Sequence, residues 1–198
     1  MLKMNSIIRS ILSESISVKE KISRDPNLID LVGKISETLI IAFKANQKVL
    51  FCGNGGSASD AQHLAAELSG RFMIDRPALF AEALHVNSSA LTAIGNDFSF
   101  AEVYSRQVQA KGAPGDILVA LSTSGNSENI LRAATEARKK GMIVVGFTGM
   151  NGGKLKSLCD YCLLVPSHNT ARIQEAHITL GHIICQIIES TLFPANGS

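Results

Sequence analysis

The sequence predicts a single α/β domain built around a mostly parallel β-sheet. Short apolar segments, such as residues 116–121 (DILVAL), alternate with helical patterns from residue 48 onward. Strands that are separated by helices form parallel sheets whose two faces are both covered. At 198 residues the chain suits one domain, residues 1–198, with a sizeable core, and two independent domains are not expected.

Two amphipathic helices are predicted ahead of the sheet, as an extension formed by residues 1–46. Isoleucines such as Ile7 and Ile11 recur there at three- and four-residue intervals. Asp25 is a good N-cap and Pro26 a good first helical residue, so together they predict the start of the second helix. Such helices bury little by themselves. We therefore expect them to pack on the sheet or on another copy of the chain.

Strands and helices then alternate to the end of the chain. In order, we predict strand 48–52, helix 57–70, strand 80–84, helices 88–95 and 98–111, strand 116–121, helix 127–140, strand 142–147, strand 161–165 and helix 170–192. Ligands of such sheets bind beyond the carboxyl ends of the strands. The loops that follow the strands are therefore the first places to look for a site.

The composition argues against nucleic-acid and membrane partners. The net charge is only +2, and tryptophan is absent, so the chain offers neither a strong positive field nor a base-stacking surface. Ser, Glu and Lys interrupt the apolar residues at the start of the chain, which excludes a signal peptide and a membrane span there. We expect a cytoplasmic protein.

The four cysteines are expected to be buried free thiols, because they lie in apolar surroundings and the chain shows no export signal. They are Cys52, Cys159, Cys162 and Cys185. The CxxC formed by Cys159 and Cys162 lacks the second CxxC or histidine pair of a structural zinc site. Its spacing is therefore interpreted as chance.

Two loops share one design, in which a buried strand ends in small residues and a helix follows. Residues 53–57 (GNGGS) follow the strand 48–52, and residues 122–127 (STSGNS) follow the strand 116–121. Backbone N–H groups and hydroxyls at a helix N-terminus favour an anion such as phosphate. Neither loop has a nucleotide-binding spacing or a lysine, so a sugar phosphate suits them better. The alternative is that both are ordinary turns between a strand and a helix.

Two helices carry residues that could perform chemistry. His63 and Glu67 are four residues apart and share one helix face, where they could hold a metal or pair a base with an acid, or be a surface pair. Gln174 and His182 lie on the last helix, about 12 Å apart by the rise per residue. They could share a metal only if the helix is irregular or another subunit contributes. His177 is expected to be a packing residue.

Asn96 and Asp97 are candidates for binding sugar hydroxyls. They follow Gly95 between two predicted helices, in a turn that we expect to face the loops. Ordinary turn chemistry explains the Asn-Asp pair equally well.

The loops and histidines together resemble the sugar isomerase (SIS) domain family, and within it the branch that isomerises sedoheptulose 7-phosphate. Four segments carry the resemblance: residues 52–71 (CGNGGSASDAQHLAAELSGR), 93–100 (AIGNDFSF), 121–130 (LSTSGNSENI) and 171–182 (ARIQEAHITLGH). The resemblance implies a flavodoxin-like five-stranded parallel sheet and a homotetramer with active sites at subunit interfaces. It also implies conversion of sedoheptulose 7-phosphate to D-glycero-D-manno-heptose 7-phosphate.

The resemblance also implies site residues, matched position by position. The substrate-binding set is Asn54, Gly55, Gly56, Ser57, Glu67, Asn96, Asp97, Ser122, Thr123, Ser124, Ser127 and Gln174. The ligands of one Zn²⁺ per subunit are His63, Glu67, Gln174 and His182. Glu67 and His182 are in addition the acid and base of the family.

A ketose becomes an aldose when a base removes a proton from C1, an enediol forms and a proton returns at C2. A carboxylate and an imidazole suffice for these transfers, and we expect Glu67 to move the carbon proton and His182 to serve the oxygens. Glu67 cannot easily be both a tightly held metal ligand and a free base, and the sequence leaves that conflict open.

Two other functions are compatible with the same family. One is a non-catalytic adaptor that binds the replication initiator DnaA. Residues 76–84 (RPALFAEAL) and 191–194 (TLFP) resemble segments of such adaptors. Those adaptors lack a glutamate at the position of Glu67. The other is a sugar-phosphate sensor within a transcription factor, but the sequence shows no helix-turn-helix segment or basic patch.

Overall fold

The computed structural model describes residues 2–194 of the chain. In order, these residues form α1 (Leu2–Arg24), α2 (Pro26–Lys44), β1 (Val49–Gly53), α3 (Gly56–Ser69), β2 (Ala81–Ala83), α4 (Ser88–Asp97), α5 (Ser105–Lys111), β3 (Ile117–Ser122), α6 (Glu128–Lys139), β4 (Ile143–Gly149), β5 (Tyr161–Val165) and α7 (Thr170–Leu192). Two short 3₁₀ helices lie at Phe100–Glu102 and Lys154–Leu158. The predicted α/β class is confirmed.

The five strands form one parallel sheet in the order β2-β1-β3-β4-β5. This is the flavodoxin-like order that the family resemblance implies. The chain winds outward in one direction from β1 and in the other from β3, so the topological switch point lies between these two strands. The two candidate loops follow β1 and β3, and they therefore lie side by side at that point.

Both faces of the sheet are buried under helices, as a parallel sheet requires. On one face, Phe51, Val119 and Phe147 pack with the buried sides of α2, α3 and α7. On the other face, Leu118 and Val144 pack with α5 and α6. Because α3 and α7 lie on the same face, residues of these two helices can meet.

The start of α2 is confirmed in detail. Asp25 is its N-cap, and the Oδ1 atom accepts hydrogen bonds from the N–H groups of Asn27 at 3.0 Å and Leu28 at 3.3 Å. A cap of this kind contributes on the order of 1 kcal/mol. Pro26 occupies the first helical position, where the missing N–H has no consequence.

The helix predicted over residues 98–111 is confirmed only in part, because α5 covers Ser105–Lys111, and the turn predicted for Asn96 and Asp97 is wrong. Helix α4 continues through Gly95 to Asp97, and the N–H of Phe98 still donates to the carbonyl of Ile94 at 3.0 Å. A single glycine weakens a helix by only about 1 kcal/mol relative to alanine, so it did not end this one. The chain then continues through the short 3₁₀ helix into α5.

The N-terminal helix α1 packs only in part on the rest of the chain. Val18 and Ile22 are buried, and Ser15 donates a hydrogen bond of 2.7 Å to Glu175 of α7. Six other apolar side chains of this helix are exposed, namely Met4, Ile7, Ile8, Ile11, Leu12 and Ile16. Over the residues that the structure describes, none of the helices is both long and apolar enough to cross a membrane.

The cysteines are free, as expected, but not all of them are buried. Cys52 and Cys185 lie in the core, whereas Cys159 and Cys162 are half-buried. Both of these sulfurs lie over Gly146 of β4, where the absence of a side chain leaves room for them.

Candidate active site

The first loop turns sharply from β1 into α3. A Cβ atom at Gly53 would lie 2.3 Å from the carbonyl oxygen of Ser57, so only glycine permits this close approach. Gly55 has a φ of +54°, a conformation that glycine adopts without strain, and it supplies no capping side chain to α3. The positive end of the α3 dipole therefore faces the carboxyl edge of the sheet with no side-chain cap.

The second loop presents hydroxyl groups at the start of α6. The Ser122 hydroxyl donates to that of Ser127 at 3.3 Å, and the Ser124 hydroxyl accepts from the N–H of Asn126 at 3.2 Å. Ser127 holds the N-cap position but makes no side-chain capping hydrogen bond. Amides of the first turn of α6 thus remain for a ligand, which is the arrangement that binds phosphate.

The two loops are tied together by a pair of side-chain amides. Asn54 and Asn129 donate to each other's Oδ1 atoms at 2.8 and 2.9 Å. Asn129 lies in the first turn of α6, so this pair fixes the first loop against the second helix. No local sequence pattern marks Asn129 as a site residue, because only the strand order makes it a neighbour of Asn54.

The loop after β4 supports the second loop from behind. Gly125 has a φ of +65°, and a Cβ atom there would lie 2.0 Å from the carbonyl oxygen of Gly152. The Gly125 carbonyl accepts from the N–H of Leu155 at 2.9 Å, and Asn126 Oδ1 accepts from the N–H of Lys154 at 3.1 Å. The hydroxyl-rich loop is therefore held in one conformation before any ligand binds.

Farther along the same sheet face, α3 and α7 bring three ligand-type side chains together. Glu67 Oε1 lies 2.9 Å from His63 Nε2, and His182 Nε2 lies 3.1 Å from the same nitrogen. One ligand atom from each of the three residues lies within 4.8 Å of the others. In the described residues 2–194, no other group of three His, Cys, Asp or Glu side chains is placed to hold a metal.

This cluster fits a zinc ion chemically. Two imidazole nitrogens and one carboxylate oxygen form a ligand set typical of catalytic zinc, which leaves one position open. The Glu67 side chain is 22% exposed and that of His63 49%, so the cluster is open to a substrate. The ring of Phe72 also lies beside the cluster, with its centroid 5.5 Å from that of His182.

The other predicted site residues lie apart from this cluster. The amide of Gln174 lies against Gly56, where an added Cβ atom would be 2.6 Å from Nε2. Helix α7 is continuous from Thr170 to Leu192, so no irregularity brings Gln174 nearer to His182. Asn96 donates to Asp97 at 2.9 Å, and in the described part of the chain neither side chain hydrogen-bonds the two loops. The ligand and substrate assignments of these residues stay predictions.

His177 is a packing residue, as predicted. It is fully buried, and its Nε2 lies 3.1 Å from the carbonyl oxygen of Thr148 at the end of β4. Burial lowers the pKa of His177 to about 4, although the bond to Thr148 acts in the opposite direction. The imidazole is therefore neutral near pH 7 and joins α7 to the sheet.

The fold and the site define the chain as a doubly wound α/β domain whose loops at the switch point suit an anion. The SIS domain model matches residues 17–149. The chain belongs to the SIS domain family.

Several relatives that match nearly the whole chain are phosphoheptose isomerases. Phosphoheptose isomerase of Clostridium acetobutylicum is 50% identical over 190 residues, which cover 96% of this chain and 97% of that protein. Phosphoheptose isomerase 2 of Campylobacter jejuni is also 50% identical, over 96% of this chain and 94% of its own length. The solved structure of the Neisseria gonorrhoeae phosphoheptose isomerase is 43% identical, with a TM-score of 0.88 and coverage of 94% of this chain and 99% of that one.

Replacement of Gly125 by alanine tests the importance of the supported second loop. We expect Gly125→Ala to weaken binding of a sugar phosphate at least tenfold, because the new methyl group would clash with the Gly152 carbonyl and displace the loop. Isothermal titration on the folded variant measures this.

Gly141→Ala is the matched control. Gly141 has a similar φ of +72°, but its nearest contact to an added Cβ atom is an ordinary 3.5 Å. Both variants share the left-handed penalty of about 1–2 kcal/mol, and only Gly125→Ala has the clash. Equal binding by the two variants would show that the loop conformation is unimportant.

Proposed function

We propose that the chain is an aldose-ketose isomerase that converts sedoheptulose 7-phosphate to D-glycero-D-manno-heptose 7-phosphate. The observation that carries this proposal is the meeting of Glu67 and His182 with His63 across two helices. The phosphoheptose isomerases described above match nearly the whole chain over nearly their own full lengths, which supports the same activity here.

We assign the phosphate group to the second loop. The hydroxyls of Ser122, Thr123, Ser124 and Ser127 and the amides of the first turn of α6 are the donors that a phosphate dianion requires. The remaining substrate-binding set would contact the sugar, and it comprises Asn54, Gly55, Gly56, Ser57, Glu67, Asn96, Asp97 and Gln174.

In the proposed reaction, Glu67 removes the proton from C1 and returns it to C2, while His182 exchanges protons with the O1 and O2 atoms. Each group of this kind typically contributes 10²- to 10⁴-fold to a rate. Glu67 Oε1 points at His63, so we assign Oε2 to the carbon proton. The Glu67 carboxylate could then contact the histidine cluster through Oε1 and transfer the carbon proton through Oε2.

We propose that one Zn²⁺ per subunit binds His63, Glu67 and His182, with Gln174 of another copy of the chain as a further ligand, because the continuous helix α7 keeps Gln174 of the same copy apart from the cluster. When bound, the ion would supply a Lewis acid at the sugar carbonyl. The support for this proposal is the convergent nitrogen and oxygen ligand set, in which α3 and α7 place the two imidazole rings 4.9 Å apart with their planes tilted by 54°.

Substitution of Glu67 tests the proposed activity. We expect Glu67→Gln to lower kcat on sedoheptulose 7-phosphate by 10²- to 10⁴-fold, because the amide cannot accept the C1 proton. His182→Ala should also lower kcat. A coupled assay of product formation measures both, and loss of exchange between the C1 proton and solvent deuterium would assign the defect to the carbon proton.

Glu37→Gln, at an exposed position of α2, is the control for the loss of one carboxylate and should retain full activity. Near wild-type turnover by zinc-loaded Glu67→Gln would remove Glu67 from the mechanism. Absence of turnover of sedoheptulose 7-phosphate by the wild-type protein would contradict the proposed isomerase activity.

Chelation tests the zinc proposal. Protein treated with a chelator should lose at least tenfold in kcat and recover it when Zn²⁺ is returned, and elemental analysis should find about one zinc per chain. His63→Ala removes a ligand without removing the acid or base, so its metal content should fall together with its activity. Full activity of metal-free protein would contradict a catalytic ion.

We further propose a homotetramer with its active sites at subunit interfaces, each chain being one domain with residues 1–46 as a helical extension. Within one chain, His63 lies about 10 Å and Glu67 about 17 Å along α3 from Gly56, which favours a substrate that bridges the loops of one copy and the cluster of another. The exposed apolar side of α1 and an apolar groove of about 410 Å³ between α1, α2 and α7 supply surface for assembly.

Substitution on α1 tests the assembly. We expect Ile8→Glu to convert tetramers into smaller species and to lower activity, because it buries a charge in the proposed interface. Sedimentation measures the mass, and Ser6→Glu, on the same exposed helix, is a control for added charge. A monomeric wild-type protein with full turnover would contradict the interface site.

The relatives described above give no support to the alternative of a DnaA-binding adaptor. A cytoplasmic location and the absence of nucleic-acid and membrane partners stay predictions from the sequence.

A further inference from the structure

A buried ion pair lies where the end of α3 meets α7. Arg76 Nε donates to Glu189 Oε2 at 3.1 Å, and the two side chains are only 1% and 5% exposed. Neither residue is among the predicted site residues. A buried charge pair requires many hydrogen bonds to offset its desolvation, so its partners show what it holds.

The guanidinium of Arg76 holds the carbonyl end of α3. Nη2 donates to the backbone oxygen of Glu67 at 2.7 Å, and Nη1 donates to those of Leu68 at 2.8 Å, Gly70 at 3.2 Å and Pro77 at 3.1 Å. These oxygens belong to the last turn of the helix and the segment that follows, where carbonyls lack intrahelical partners. Arg76 therefore fixes the backbone position of Glu67 directly.

The carboxylate of Glu189 holds the segment after α3. It accepts hydrogen bonds from the N–H groups of Phe72 at 3.1 Å, Met73 at 2.7 Å and Ile74 at 3.1 Å. Burial acts to raise the pKa of Glu189, but these N–H groups and Arg76 outweigh it and lower that pKa. Glu189 is thus a fixed anion near pH 7.

The hydrogen bonds of Arg76 and those of Glu189 both involve residues next to the cluster of His63, Glu67 and His182. Glu189 lies seven residues after His182, two turns along the same face of α7. Phe72, held by Glu189, packs its ring 5.5 Å from His182, and Arg76 holds the backbone of Glu67. One ion pair thus joins the helix that carries the carboxylate to the helix that carries the imidazole.

We propose that Arg76 and Glu189 are positioning residues of the site, which set the distance and register between Glu67 on α3 and His182 on α7. This proposal rests on the proposed isomerase function. Without the pair, the two helices would still be joined by apolar contacts, but the end of α3 could shift against α7 and separate the groups that share the metal and the protons.

The chain contains a matched pair for comparison. Lys48 and Asp116 form an ion pair of 2.5 Å in which Asp116 is 1% exposed and accepts from the N–H groups of Lys48 at 3.0 Å and Ala113 at 2.7 Å. These residues lie at the amino ends of β1 and β3, at the edge of the sheet opposite to the candidate loops. Loss of this pair should affect stability without affecting the cluster.

The test compares Glu189→Gln with Asp116→Asn in the full-length protein. Each substitution keeps the side-chain shape and removes one buried charge, and the melting temperature shows how much stability each loses. For Glu189→Gln we expect kcat to fall at least tenfold, KM for sedoheptulose 7-phosphate to change less than threefold, and the Kd for Zn²⁺ to rise at least tenfold. For Asp116→Asn we expect all three to stay within twofold of wild type.

Arg76→Lys is the second variant, in case Glu189→Gln does not fold. Lysine keeps the positive charge opposite Glu189 but lacks the fork that reaches the Glu67 carbonyl at the same time. Its kcat and Zn²⁺ affinity should fall between those of wild type and of Glu189→Gln.

The outcomes separate the positioning proposal from the function. The positioning proposal would be overturned if folded Glu189→Gln or Arg76→Lys kept the kcat and the Zn²⁺ affinity of the wild type. It would also be overturned if Asp116→Asn lost as much kcat and Zn²⁺ affinity as Glu189→Gln. If the wild-type protein binds Zn²⁺ but does not turn over, the isomerase proposal fails while the zinc affinities still decide the positioning. A wild-type protein that neither binds Zn²⁺ nor turns over overturns both.

Discussion

The close parallel packing of α3 on α7 is the constraint on which the candidate site depends. A Cβ atom at Gly181 would lie 2.5 Å from Cδ2 of Leu64, so the two helices approach to a distance that only glycine allows at this position. A second close contact lies near the start of the two helices, where Gly56 of α3 lies against the side-chain amide of Gln174 of α7. At such an approach, side chains on neighbouring turns of the two helices come within hydrogen-bonding distance, as His63 and His182 do.

The parallel sheet explains why these helices run in the same direction. Each follows a strand, begins at the carboxyl edge and returns across the same face, so both helices start beside the loops and carry their later residues away from them. Anion binding and proton transfer are therefore assigned to different places in the fold. Backbone amides and hydroxyls at the switch point suit an anion, and the Glu67 side chain, about three turns along α3, suits proton transfer.

The sequence predicted local features well and long-range contacts poorly. The His63 and Glu67 pair follows from a four-residue spacing, and the Asp25 cap from residue type, because both are contained within one element. The Asn54–Asn129 amide pair joins residues that only the strand order makes neighbours. Glu189 had no sequence signal at all, because a glutamate near the end of a helix is usually exposed and its partners are the backbone of a distant segment.

The charge of the Arg76–Glu189 pair is informative because a buried ion pair is rarely the most stable way to fill a core. Apolar side chains of similar volume often stabilise a core as much as a buried ion pair, so such a pair is weak evidence for stability alone. Apolar ridges tolerate a shift of one helix along another, and a shift of one turn would move His182 by about 5.4 Å, out of reach of Glu67. The Glu189 carboxylate, in contrast, accepts hydrogen bonds from three backbone N–H groups and from a guanidinium, and all four bonds form in only one arrangement of the two helices. The pair therefore selects one register of α7 against α3, and that register is the one in which the carboxylate and the two imidazoles meet.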